Sequence, residues 1–169
     1  DITLAVLDIL EYLHGRTPPL YHRDIKPSNI VLRGTGAPVL VDFGGICHGW
    51  RPEQSGGSTV TGTYGYMPPE QLMGRVSPQS DLYALGATLL FVVTGREPTD
   101  FDFDAGRLSV PESVELRPSL RRAIDAMLAP APRDRPRTAK EVRAILLGSA
   151  GEASPGPSAA LARVNRGGP

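Results

Sequence analysis

The chain has little cysteine, no excess charge of either sign and no long apolar run, and each absence removes a class of protein. Cys47 is the single cysteine among 169 residues, which excludes an intramolecular disulfide and a cysteine-built metal site, and suits a reducing compartment. Lysine plus arginine number 18 and aspartate plus glutamate number 18, so no net field draws the chain to nucleic acid or to an anionic membrane. The longest apolar stretch, Ala84 to Val93, falls well short of the ~18 residues that cross a bilayer. No membrane segment is expected in this piece, and a cytoplasmic location is. The opening Asp1-Ile2-Thr3-Leu4 carries no leader pattern and no starting methionine, which suggests a piece cut from something longer. No internal repeat is present, and the length suits one domain with its own core.

What is present reads as a mainly helical domain with one hairpin. Val6, Ile9, Leu10 and Leu13 recur at helical spacing before Gly15, predicting an amphipathic helix that ends near His14. After a proline-rich loop, β-branched runs at 29–33 and 38–42 surround Gly34-Thr35-Gly36, the spacing of a hairpin. Residues 44–58 have the composition of a mobile surface loop. Ser77 ahead of Pro78 starts a helix whose apolar run to Val93, closed by Gly95, is hydrophobic on nearly every side and so should be buried. Leu120, Ala123, Ile124, Met127 and Leu128 define another helix face, and Thr138-Ala139-Lys140-Glu141 is a capping-box pattern opening the last helix. Between Arg96 and Glu115 there is no helical period. Residues 148–169, rich in glycine, alanine, serine and proline, are expected to be a disordered tail or linker beyond a domain at 1–147.

Chemistry concentrates around the hairpin. His22-Arg23-Asp24-Ile25-Lys26-Pro27-Ser28-Asn29 precedes it and Asp42-Phe43-Gly44 follows it. The first segment resembles the catalytic loop of protein kinases and the second their metal-binding triplet, in the family's order and loop context. The resemblance implies that Asp24 orients the acceptor hydroxyl and that Lys26 neutralises charge on the moving phosphoryl group. It also implies that Asn29 and Asp42 offer oxygen ligands to Mg²⁺, with ATP as donor. Phosphoryl transfer needs positioning and charge neutralisation more than covalent work by the protein, so these residue types suit the task.

The likeness continues from about Ile2 to Leu147. Gly62-Thr63-Tyr64-Gly65-Tyr66-Met67-Pro68-Pro69-Glu70 resembles the end of an activation segment, with Thr63 in the loop that receives the substrate residue. Lys26 and Thr63 together favour serine or threonine acceptors. Arg23 resembles the arginine that receives an activating phosphate, with Ser55, Ser58, Thr59 and Thr61 as candidate phosphosites. Asp81 resembles the aspartate that holds the catalytic-loop backbone, and Arg135 the partner of Glu70. The style of the 62–70 segment suggests a bacterial kinase of the eukaryotic type. His22 reads as a packed structural histidine, Cys47 as an ordinary loop cysteine, and Trp50 as local packing.

The departures carry equal meaning. No glycine-rich phosphate loop, strand lysine or helix glutamate stands ahead of the first helix, so the expected fold is the C-terminal kinase lobe alone, without the N-terminal lobe that grips ATP. The parent enzyme is expected to phosphorylate serine or threonine of a protein, and this piece by itself to be inactive or nearly so. The alternative is a lobe-only scaffold or regulator of a full kinase, which a natural start codon near Asp1 would favour. A small-molecule phosphotransferase is a third reading, opposed by Lys26 and the 62–70 segment.

Overall fold

Helix α1 (Ile2–His14) opens a structure that a computed structural model describes at residues 2–42, 47–48, 62–101 and 107–148. It buries Val6, Leu7, Leu10 and Leu13 on one face, with Ile9 packed at the margin. The Gly15 and Arg16 N–H groups close its last turn on the Glu11 and Leu13 carbonyls at 3.0 and 3.2 Å. Strand β1 (Leu20–Tyr21) follows, and then a single 3₁₀ turn at Pro27–Asn29. The hairpin of β2 (Ile30–Leu32) and β3 (Pro38–Leu40) is antiparallel, with Ile30 opposite Leu40 and Leu32 opposite Pro38. Its turn closes where the Gly36 N–H donates to the Arg33 carbonyl at 2.7 Å.

A second two-stranded sheet was not expected. Strand β4 (Cys47–His48) pairs antiparallel with β1, Leu20 opposite His48, inside the stretch read from composition as loop. Two-residue strands are too short to show a period, and their pairing is distant in the chain, so no local pattern betrays them. The rest of that stretch, the candidate phosphosites Ser55, Ser58, Thr59 and Thr61, Phe43, Gly44, Trp50 and residues 149–169 lie outside the described residues.

The remaining elements are α2 (Pro69–Leu72), α3 (Pro78–Thr94), α4 (Pro118–Met127) and α5 (Ala139–Leu146). Helix α3 starts at a Ser77/Ser80 capping box and ends on Gly95, whose φ of 67° is left-handed and whose N–H donates to the Phe91 carbonyl at 2.7 Å. It is buried without interruption from Ser80 to Thr88. The sequence pattern overstates this at the far end, where Val92 is 63% exposed. One side of α3 packs with α1, α4 and α5 around Leu7, Leu10, Leu82, Leu85, Met127 and Val142. The other side, through Tyr83, Ala87 and Leu90, meets Tyr66, Leu108, Val110, Ile124 and Leu128.

The stretch without helical period contains a 3₁₀ turn, Pro98–Asp100, and no α-helix among the described residues between Arg96 and Glu115. Residues 107–117 are tied to α4 instead. The Arg121 guanidinium donates to the carbonyls of Val110, Pro111 and Val114, and Asp125 accepts the Val110 N–H at 3.3 Å. At α5 the Thr138 hydroxyl accepts the Glu141 N–H at 3.3 Å, whereas the Glu141 carboxylate takes the Arg137 N–H, one residue earlier than a reciprocal box requires. No described helix is long and apolar enough to cross a membrane.

Close approach of α3 and α4 depends on Gly86. A Cβ there would stand 2.9 Å from the Met127 Cβ and 3.3 Å from the Leu128 Cγ. Gly86→Ala is therefore expected to cost about 1–3 kcal/mol by overpacking, despite alanine's better helix propensity. Urea denaturation measures this, and an unchanged midpoint would mean that the two helices separate without penalty.

Candidate active site

Asp81, in the first turn of α3, is fully buried, and its carboxylate faces the loop that precedes the hairpin. Its Oδ2 accepts the His22 backbone N–H at 2.9 Å and its Oδ1 accepts the Arg23 backbone N–H at 2.8 Å. His14, the last residue of α1, brings its Nε2 to within 2.8 Å of the same Oδ2. A buried carboxylate is tolerated only when fully hydrogen-bonded, and here its donors are the backbone of one loop and one helix end. The loop is held further by the Gln71 side chain, which donates to the Arg23 carbonyl at 2.6 Å, and by Ile25, which is buried in the main core. Arg23 takes a φ of 70°, a conformation that persists in a non-glycine residue only where its surroundings impose it.

So anchored, the loop presents a compact polar cluster. Thr63 Oγ1 donates to Asp24 Oδ1 at 2.7 Å and accepts from Lys26 Nζ at 2.7 Å. Lys26 Nζ also lies 3.0 Å from Asp24 Oδ2. Asn29 Nδ2 donates to the Asp24 carbonyl at 2.8 Å and to Asp24 Oδ2 at 3.0 Å. Burial by itself would raise the Asp24 carboxyl. The hydrogen bonds from Thr63 and Lys26, the Lys26 charge and the Asn29 amide outweigh it and hold the group below its usual 3.8. The arrangement keeps an ionised carboxylate beside a lysine at a partly open surface, which is chemically a place for a hydroxyl proton and an anionic group.

Asp42 sits one residue past the last hairpin contact, where the Val41 N–H donates to the Asn29 carbonyl at 2.9 Å. The hairpin thus returns Asp42 to the side of Asn29. Its φ of 62° is one that aspartate adopts more readily than most residues. Among the described residues no three His, Cys, Asp or Glu side chains converge as a metal cage. Mg²⁺ does not need one, because it takes one or two carboxylate or amide oxygens and completes its shell with water and phosphate. The donor set fits that habit. Asn29 spends its amide nitrogen on Asp24, so a cation held there would meet its oxygen, and Asp42 is exposed.

A second anchor lies below. Arg135 pairs with Glu70 through Nη1–Oε1 at 2.6 Å and Nη2–Oε2 at 3.2 Å. Its other N–H groups donate to the carbonyls of Ala129, Gln79 and Pro130 at 2.6, 3.2 and 2.8 Å, and the guanidinium lies 4.7 Å from the Tyr83 ring centre. Ser80 adds a hydrogen bond to Glu70 Oε1 at 3.0 Å. A buried arginine with every donor used ties the 62–72 segment to the base of α3 and to the loop after α4.

Sequence reasoning places Asp24, Lys26, Asn29 and Thr63 in one site, and the structure brings these four together. It misses His14, Gln71 and Ser80. His14 stands on the apolar stripe of α1, one turn beyond Leu10 and two beyond Leu7, and a titratable ring on a buried face is the signal that it meets a polar partner. Gln71 and Ser80 carry no signal of their own.

With this geometry in place, comparison with known proteins defines the class. The protein kinase domain family matches residues 1–145, and the chain belongs to that family. Its likeness is to serine/threonine kinases of the eukaryotic type in bacteria. It is 40% identical over 158 residues to serine/threonine-protein kinase PknA of Nostoc sp., a match covering 88% of this chain and 28% of that protein. It is 37% identical over 158 residues to serine/threonine-protein kinase C of Synechocystis sp., covering 88% and 29%. Serine/threonine-protein kinase F of the same organism is 35% identical over 172 residues, covering 98% and 34%. The chain thus spans about a third or less of the length of these relatives.

The Asp24 environment makes a pH prediction. A carboxyl held low in the folded protein favours folding at pH above its ordinary range, and that contribution is lost as pH falls through the folded value. Thr63→Val deletes one hydrogen bond that holds the carboxyl down. Its titration midpoint, read by carboxyl-carbon NMR, is expected to rise toward 3.8. Identical midpoints in variant and parent would contradict the arrangement.

Proposed function

We propose that the protein carrying this chain transfers the γ-phosphoryl group of Mg·ATP to serine or threonine of a protein substrate. The observation that carries the reading is the single Asp24 carboxylate held by Lys26, Asn29 and Thr63 at a partly open surface. Asp24 accepts or orients the proton of the acceptor hydroxyl, and its depressed pKa keeps it ionised for that purpose. Lys26 offsets the negative charge of the phosphoryl group as it moves to the acceptor oxygen. Asn29 and Asp42 hold Mg²⁺, which when bound neutralises phosphate charge. Thr63, on the segment ahead of Glu70, positions the acceptor against Asp24.

The family membership and the likeness to bacterial serine/threonine kinases support this assignment over other phosphotransfer chemistry. The same proposal treats residues 1–147 as a C-terminal kinase lobe and the remainder as a tail. It places the protein in the cytoplasm and has a nucleotide-gripping lobe outside this chain complete the site. Arg23 and the hydroxyls of Ser55, Ser58, Thr59 and Thr61 form the proposed regulatory pair, a guanidinium and a phosphate that it receives.

Asp24→Asn preserves size and removes the proton acceptor. Phosphate transfer from radiolabelled ATP to a protein acceptor is expected to fall by about 10²–10⁴-fold while the circular dichroism spectrum stays that of the parent. Equal rates in variant and parent would remove Asp24 from the reaction.

A further inference from the structure

Past the end of α3, in the stretch that shows no helical period, Glu97 makes a contact that the catalytic cluster does not explain. Its Oε2 accepts the Tyr66 hydroxyl at 2.8 Å. Tyr66 is 5% exposed, with its ring fixed among Leu90, Leu108, Val110 and Ile124, so its hydroxyl has a set place and Glu97 meets it there. Burial, together with Glu97, pushes the phenol well above its ordinary range, and it remains a donor throughout the working pH range.

Glu97 is itself held in place. Its N–H donates to Asp100 Oδ2 at 3.2 Å, the Asp100 N–H returns to the Glu97 carbonyl at 2.9 Å, and Arg96 donates to the Asp100 carbonyl while stacking 4.4 Å from the Phe101 ring centre. The turn it opens touches the substrate-facing segment directly. A Cβ on Gly65 would stand 2.9 Å from the Thr99 methyl and 3.5 Å from the Thr99 backbone nitrogen, and the Gly65 φ of 89° is left-handed, so the position where the two segments touch favours glycine.

From Tyr66 the contacts lead back to the reacting group. The N–H groups of Tyr66 and Met67 both donate to the Thr63 carbonyl, at 3.1 and 3.0 Å, closing the turn that sets Thr63 on Asp24 and Lys26. Tyr64, 78% exposed, rides on the same turn. We infer that Glu97 is a positioning residue for the protein acceptor, latching Tyr66 so that the Thr63–Met67 turn presents Tyr64 and Thr63 in register with Asp24. This rests on the proposed phosphotransfer to protein. It adds a residue that touches neither nucleotide nor Asp24.

The test uses the full-length protein that contains this chain, with dephosphorylated β-casein as acceptor and amide hydrogen exchange as a second readout. Glu97→Ala is expected to raise the KM for casein about 10-fold with the KM for ATP unchanged, because only the acceptor seat shifts. Glu97→Gln keeps an oxygen for the Tyr66 hydroxyl and should behave as the parent. Tyr66→Phe should match Glu97→Ala, and the double variant should be no worse than either single one. A casein KM equal to that of the parent, equal rises for casein and ATP, or a Glu97→Gln as impaired as Glu97→Ala would each overturn the latch. If the parent transfers nothing to casein, the phosphotransfer reading is what fails. The latch then stands on exchange, with the Tyr66 and Met67 amides opening about 10-fold faster in Glu97→Ala while those of His22 and Arg23 are unchanged. Unaltered exchange at Tyr66 and Met67 would dispose of it.

Discussion

The carboxylate of Asp81 gathers three donors from two parts of the chain: the backbone N–H groups of His22 and Arg23 and the ring of His14. Being fully buried, it cannot exchange those donors for water, so the loop that carries Asp24 is bound to the first turn of α3 as firmly as a secondary-structure element. Everything that acts at the surface is referred to this point. Asp24 follows Arg23 directly, Asn29 reaches back to Asp24, and the hairpin that begins at Ile30 returns Asp42 to the side of Asn29. Helix α3 can serve as the reference because it is enclosed on both sides by apolar cores, which gives its first turn a fixed position.

The segment 62–72 is registered on the same helix by different means. Glu70 meets Arg135 and Ser80, Gln71 meets the Arg23 carbonyl, and Tyr66 meets Glu97. The result is that Thr63 reaches Asp24 and Lys26 on a segment with its own anchors at Ser80, Arg135 and Glu97, besides the Gln71 bond to the loop that carries them. Two separately anchored segments closing on one carboxylate is the arrangement that a transfer reaction governed by positioning requires.

How much of this was legible follows from the range of each interaction. Helices α1 and α4 are visible because burial of one face repeats every three or four residues, and α3 because an unbroken apolar run is bounded by Ser77, Pro78 and Gly95. The meeting of Asp24, Lys26 and Asn29 is legible because they lie within one short loop that resembles a known catalytic loop. The β1–β4 pairing is not legible, since two residues make no period and their partners lie across the chain. Neither is the meeting of His14 with Asp81 or of Tyr66 with Glu97, because a single polar contact between distant residues leaves no pattern in either neighbourhood. The irregular course of 107–117 is legible only as an absence of period. What holds it, the Arg121 guanidinium on three carbonyls, becomes visible only in the fold.

The buried Asp81 carboxylate orders the loop on which the proposed phosphate transfer depends. Asp81→Asn tests it most directly, since the amide keeps the size but offers a single acceptor oxygen where two backbone N–H groups and His14 are aimed. The measurement is single-turnover phosphate transfer by the full-length protein, with circular dichroism in parallel. A loss of about 10²-fold or more with helix content retained is expected, because the cluster around Asp24 falls out of register. Transfer at the parent rate from a folded Asp81→Asn protein would show instead that the loop holds its geometry without that carboxylate.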